Sequence, residues 1–198
     1  MVADTHVYTQ ETCSKHYSCT SHVELSNGLN VEYARHGEAN APEKVLLIMG
    51  LHFEKESWLP IIATLLDDPT TYDPSRYELV SFDNRGVGGS DKPWELYSTS
   101  QMAQDALLLL DELKWPKAHI VGISMGGMIS QELALLAPER VQSLTLMVTA
   151  PGFLRGPLPR LHQVAGYLHA GKNLLLPTRK SITNLLMFTL YPNDYLNQ

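Results

Sequence analysis

Cysteine is scarce in this chain: Cys13 and Cys19 are its two thiols among 198 residues, and both lie in a polar amino-terminal stretch. Two cysteines with no recognisable ligand set support neither a disulfide framework nor a zinc site. Free thiols of an intracellular protein are expected, with cytoplasm as the compartment and no metal or cofactor. Positive charge is also short, with Lys+Arg 15 against Asp+Glu 21 and a net charge of −6. That balance speaks against nucleic acid or an anionic membrane surface as partner. No run approaches the roughly 18 uninterrupted apolar residues of a membrane span. Residues 1–20 lack the apolar core of a signal peptide. Internal repeats and low-complexity tracts are missing as well.

What is present is 44% hydrophobic and 18% charged residues, the proportions of a soluble globular protein. A chain of this length can bury one substantial core and carry a small appendage. It is organised around Ala118-His119-Ile120-Val121-Gly122-Ile123-Ser124-Met125-Gly126-Gly127-Met128-Ile129-Ser130. His119 to Val121 reads as a buried strand. Beyond it, Met128, Leu133, Leu136 and Ala137 recur at near-helical intervals, and Pro138 closes the helix. Ser124 must therefore turn sharply from strand to helix. Any side chain at Gly122 or Gly126 would collide with adjacent backbone in such a turn. A serine hydroxyl is a weak nucleophile that gains strength where a base can take its proton. The helix beginning beside it aims backbone N–H groups, Met125 first, at an oxyanion forming there.

In chain order, residues 1–20 read as a loosely held arm. Residues 22–25 and 29–35 alternate about Ser26-Asn27-Gly28, a tight-turn signal, and form a hairpin. Strands are predicted over 45–49, 77–82 and 141–148, and helices over 58–66 and 101–113, the latter capped from 98–100. A hairpin followed by alternating strands and helices predicts an α/β fold with a mostly parallel sheet. After Pro151 the texture changes to short Leu- and aromatic-rich helical pieces that suit a lid. His162 and His169 lie there and read as packing or solvent-facing histidines.

Four stretches together resemble the α/β-hydrolase fold superfamily, in the group that includes esterases, lactonases and epoxide hydrolases. Val45-Leu46-Leu47-Ile48-Met49-Gly50-Leu51, with Trp58 downstream, is similar to the strand and loop that supply an oxyanion donor. Asp83-Asn84-Arg85-Gly86-Val87-Gly88-Gly89-Ser90 resembles the Asp-x-Arg-Gly-x-Gly-x-Ser loop. Gly122-Ile123-Ser124-Met125-Gly126 resembles the nucleophile elbow, and Pro138-Glu139-Arg140-Val141 the join after the elbow helix. The resemblance spans roughly residues 23–155. It implies Ser124 as nucleophile and backbone N–H groups of Leu51 and Met125 as oxyanion donors. Asp83 and Arg85 are expected to brace their loop, and His52 to reach the pocket mouth as a substrate contact.

The same resemblance implies an acid and a late histidine that no residue here matches. Thr149-Ala150-Pro151-Gly152 occupies the alternative acid position, and Asp194 falls in the lid-like segment. The expected organisation is an arm over 1–22, the amino-terminal part of a hydrolase core over 23–151 and a partial helical cap over 152–198. The sheet's last strands are expected to be absent, as in a carboxy-terminally truncated hydrolase. Substrates are expected to be small apolar esters, lactones or similar molecules, with little or no turnover by these 198 residues. The alternative from another class is a non-catalytic ligand-binding or interaction protein on the same fold. With the last strands absent, the strand over 141–148 would be an edge, open to self-association.

Overall fold

The computed structural model describes residues 9–67 and 73–152. The chain divides into two units, residues 1–155 and 156–198. The expected lid over 152–198, with His162, His169 and Asp194, lies outside the described residues from 153 onward.

Alternation of apolar residues builds the strands, and turn chemistry joins them. β1 (Ser21–Glu24) and β2 (Asn30–Gly37) pair antiparallel with Val23 opposite Val31. Gly28 sits at φ +80° in the connection, a conformation that the Asn-Gly pair adopts readily. β3 (Glu43–Ile48), β4 (Tyr77–Phe82), β5 (Ala118–Ile123) and β6 (Val141–Met147) are mutually parallel. The described sheet runs β1-β2-β4-β3-β5-β6. Helices α2 (Leu59–Asp67), α3 (Thr99–Glu112) and α4 (Met125–Leu136) make the crossovers.

Period-two alternation sorts the strand side chains onto two faces. Leu46, Ile48, Val80, Phe82 and Ile120 share one buried cluster with Leu109, Leu110, Ile129 and Leu133 of α3 and α4. Val45, Leu47, Met49 and Leu79 point the other way, against Ile62 of α2 and Trp58 just before it. Burying each large aliphatic side chain contributes about 1.5–3 kcal/mol, so this double burial is what holds the central strands. Ser98 caps α3 by accepting from the Gln101 N–H, and Pro138 stands just beyond the end of α4.

Two local expectations need correction. Residues 10–17, read as part of a loose arm, form α1 (Gln10–Tyr17), capped by Thr9. Lys15 and His16 pair with Asp67 of α2, and the Tyr17 hydroxyl donates to the Lys55 carbonyl at 2.7 Å. An amphiphilic tyrosine thus reaches under the sheet and anchors the helix. In α4 the inward stripe is Ile129, Leu133 and Ala137, while Met128 is half-buried and Leu136 is 49% exposed. The apolar arc read from spacing was rotated toward solvent, because small glycines at 126 and 127 let the first turn lie closest to the sheet.

The topology places a crevice. From β3 the chain crosses to β4 on one side, and then to β5 on the other. Connections leaving the carboxyl ends of β3 and β5 therefore diverge to opposite faces. Such a reversal point in a parallel sheet is where ligands bind.

Candidate active site

The crevice is built from three connections, those after β3, β4 and β5. Ser124 follows β5 directly, with φ 54° and ψ −120°. A residue with a Cβ is uncommon in that region, and it persists only where surroundings over-determine it. The constraints are visible. Ser124 N–H donates to the Met147 carbonyl at 2.9 Å. A Cβ on Gly122 would lie 2.2 Å from Ser130 Oγ and 2.4 Å from the Gly126 carbonyl oxygen. A Cβ on Gly126 would lie 2.0 Å from the Ile48 carbonyl oxygen. Only glycine allows β5 and α4 to close on β3 this tightly. Ser124 itself remains exposed.

The connection after β3 stands beside it. A Cβ on Gly50 would lie 3.2 Å from Ser124 Cβ and 3.7 Å from its Oγ. Leu51 follows Gly50, and Met125 follows Ser124 as the first residue of α4. Among the described residues neither of their N–H groups is spent on a backbone carbonyl. For Met125 that freedom is inherent in a helix start. His52 comes next at φ 64°, with an exposed side chain. Among the described residues no histidine hydrogen-bonds to the Ser124 hydroxyl, and no group of three His, Cys, Asp or Glu is arranged to hold a metal ion.

The connection after β4 acts as a clasp on the Gly50 loop. Asp83 is wholly buried. Its Oδ1 accepts the Lys55 backbone N–H at 2.7 Å, and its Oδ2 accepts Lys55 Nζ at 3.0 Å and the Gly89 N–H at 2.9 Å. Asn84 Nδ2 donates to the Met49 carbonyl at 3.0 Å. The loop bearing Leu51 is thus gripped at both ends, before Gly50 and after Glu54. Lys55 Nζ also meets Glu32 Oε1 at 2.8 Å and Glu56 Oε1 at 3.0 Å. Burial alone would lower its pKa, but these carboxylates outweigh it and raise the pKa above the ordinary lysine value.

Arg85 braces the far side of the same connection. It pairs with the Asp105 carboxylate through Nε at 2.6 Å and Nη2 at 2.7 Å. Asp83 therefore ties its loop to Lys55, and Arg85 ties it to α3, the bracing that the sequence leads one to expect. Lys55, Glu32 and Asn84 were not read as site-building residues. Lys55 lies 28 positions from its buried partner. An isolated lysine in a polar loop carries no local mark of such a contact.

Residues 44–184 match the model of the alpha/beta hydrolase fold family. A protein provisionally named carbamate hydrolase RutD from Variovorax paradoxus is 34% identical over 118 residues, 59% of this chain and 41% of that protein. 3-oxoadipate enol-lactonase 2 of Acinetobacter baylyi is 33% identical over 120 residues, 61% of this chain and 42% of its own length. The chain spans under half the length of the curated relatives it matches. A crystallised hydrolase from Pseudomonas aeruginosa superposes with a TM-score of 0.71, covering 92% of this chain and 63% of that one. At 24% identity that likeness speaks for the fold alone.

Proposed function

This chain belongs to the alpha/beta hydrolase fold family, and from that premise we propose that it is built to hydrolyse small acyl substrates through Ser124. The observation that carries the proposal is the exposed serine at φ 54° between β5 and α4, with Gly50 against it. In the proposed reaction Ser124 Oγ attacks an acyl carbon and yields its proton to a base. The carbonyl oxygen becomes an oxyanion, received by the N–H groups of Leu51 and Met125. The positive end of α4, fixed before any charge develops, adds to that stabilisation. Collapse of the tetrahedral intermediate breaks the bond from the acyl carbon to the alcohol or amine, which takes the proton from the base and leaves. Water, giving its proton to the same base, then cleaves the acyl–Ser124 bond, and the proton returns to Ser124 Oγ as the acid departs.

The substrate proposed is a small, fairly apolar ester, lactone or similar molecule. Carbamates and enol lactones, named for two relatives, share the acyl carbon this chemistry needs. His52, exposed beside Leu51, is proposed as a substrate contact at the pocket mouth. No described histidine hydrogen-bonds to the Ser124 hydroxyl, and turnover is expected from a form in which a histidine and a carboxylate stand as base and acid beside it. For residues 1–198 alone, negligible turnover is expected. The organisation proposed is a hydrolase core over 23–151, with α1 docked ahead of it, and a partial helical cap over 152–198, in a cytoplasmic protein that does not bind nucleic acid. Among the described residues no helix is long and apolar enough to cross a membrane.

A fluorophosphonate tests the nucleophile. It should label the base-bearing form at Ser124 and nowhere else. Labelling that persists in Ser124→Ala would overturn the assignment. The second reading is a ligand-binding protein on the same fold that does no chemistry. Ligand binding that survives Ser124→Ala, in a base-bearing form that takes no label, would decide for it.

A further inference from the structure

Thr149 leaves β6 level with the nucleophile elbow. β5 and β6 run in parallel with Ile123 opposite Met147, so the segment after Met147 passes directly alongside Ser124. The Thr149 hydroxyl donates to the Ser124 backbone carbonyl at 2.7 Å. That carbonyl also receives the Gly127 N–H at 3.0 Å and the Met128 N–H at 3.3 Å. Together with the bond from Ser124 N–H to Met147, both backbone groups of the elbow serine are tied to residues 147–149. Gly127 makes the approach possible, because a Cβ there would lie 2.6 Å from Thr149 Cβ. Gln131, one turn along α4, donates to the Ala150 carbonyl at 3.1 Å and holds the segment in place.

We propose that Thr149 is a positioning residue for Ser124: its hydroxyl fixes the direction of the serine's carbonyl, and with it the backbone conformation that lifts Oγ clear of the sheet. The position matches one where the sequence offers no catalytic acid, and the threonine there acts on the backbone of the serine instead of on a histidine. A carbonyl's direction is set by ψ, and Ser124 holds ψ at −120° with a φ that residues bearing a Cβ seldom keep. A strong donor on that carbonyl removes the freedom to relax. The inference rests on the reading of Ser124 as nucleophile.

The test compares Thr149→Val, which keeps the shape and removes the hydroxyl, with Thr149→Ser, which keeps the hydroxyl. In a form that takes the fluorophosphonate, Thr149→Val should lower the maximal labelling rate at Ser124 about five- to tenfold, the effect of one neutral hydrogen bond. The probe concentration giving half that rate should stay unchanged, and Thr149→Ser should restore the rate. A lower melting temperature with an unchanged labelling rate would overturn the proposal, because Thr149 would then only anchor the end of β6. Crystal structures of the full chain give a readout independent of chemistry. Ser124 should keep its φ and ψ in Thr149→Ser and shift its ψ in Thr149→Val, as far as the Gly127 and Met128 N–H groups on the same carbonyl allow. If no form is labelled at Ser124, the nucleophile reading fails, and an unmoved Ser124 in the valine variant would sink the positioning role separately. Should valine prevent folding, Thr149→Ala carries the same two measurements.

Discussion

At the scale of single residues, the site depends on atoms that are missing. Gly50 has space for no more than a Cβ, which would already lie 3.3 Å from the Ile123 carbonyl oxygen. A branched side chain must push Ser124 or the Leu51 loop aside. In an active form Gly50→Val should therefore reduce turnover by about 10²–10³, the usual loss for one oxyanion donor. Binding of a ground-state substrate analogue should change far less. Equal losses in both would mean that the residue shapes the pocket and does not stabilise charge. His36 makes a different kind of prediction. It is buried, with Nε2 3.0 Å from Ser81 Oγ. Burial, with His16 nearby, lowers its pKa to about 4. Between about pH 6.5 and that value the unfolded chain binds a proton that the folded chain refuses. The stabilisation is complete above pH 6.5 and fades as pH falls toward 4, by up to about 3 kcal/mol. Melting temperature should drop more steeply over that interval in the wild type than in His36→Gln. Parallel profiles would place the acid sensitivity elsewhere.

At the scale of elements, the connections after β3 and β4 behave as one unit. Lys55 is the joint, 3% exposed and surrounded by Glu32, Glu56 and Asp83. Lys55→Met leaves the buried Asp83 carboxylate without its cation, a loss that costs about 3–5 kcal/mol in such settings. Urea unfolding should register that loss, and Ser124 labelling should slow because the Leu51 loop is then held at its far end by the residue 55 backbone N–H alone. A double-mutant cycle with Asp83→Asn separates the joint from its parts. Additivity within about 0.5 kcal/mol would show that the two residues act independently. The clasp also explains a glycine: at φ +51°, Gly88 passes so close to Asp83 that a Cβ would lie 2.0 Å from Oδ2. Little of this unit was legible in the sequence. The Asp83–Ser90 loop announced itself by its glycines, but its partner lies across a helix and a strand, where short-range signals do not reach.

At the scale of the whole molecule, β6 is an edge strand among the described residues. Leu144 and Leu146 are 37% and 42% exposed, and Val148 is 87% exposed. A parallel strand paired on one side only, with no charge between Val141 and Val148, is a template for another chain. Residues 1–198 alone should therefore self-associate, with a mass by light scattering that rises with concentration. Thr145→Lys, which puts a charge on that edge, should reduce the association. A monomer at every concentration, before and after the substitution, would show that the edge is covered.

The sequence by itself determined the order of strands and helices, the hairpin, and the elbow with Ser124 at its turn. Those features are written in periodicity, turn residues and glycines, and each acts over only a few neighbours along the chain. The tertiary structure alone decided that β4 and β5 flank β3 on opposite sides, which creates the crevice. It alone docked α1 through Tyr17, turned Leu136 outward, and brought Lys55 to Asp83 and Thr149 to Ser124. Those contacts join residues 25–64 positions apart or depend on which face of the sheet a helix covers. Burial and crossover geometry set them, and both come into being only when the sheet closes around its two cores.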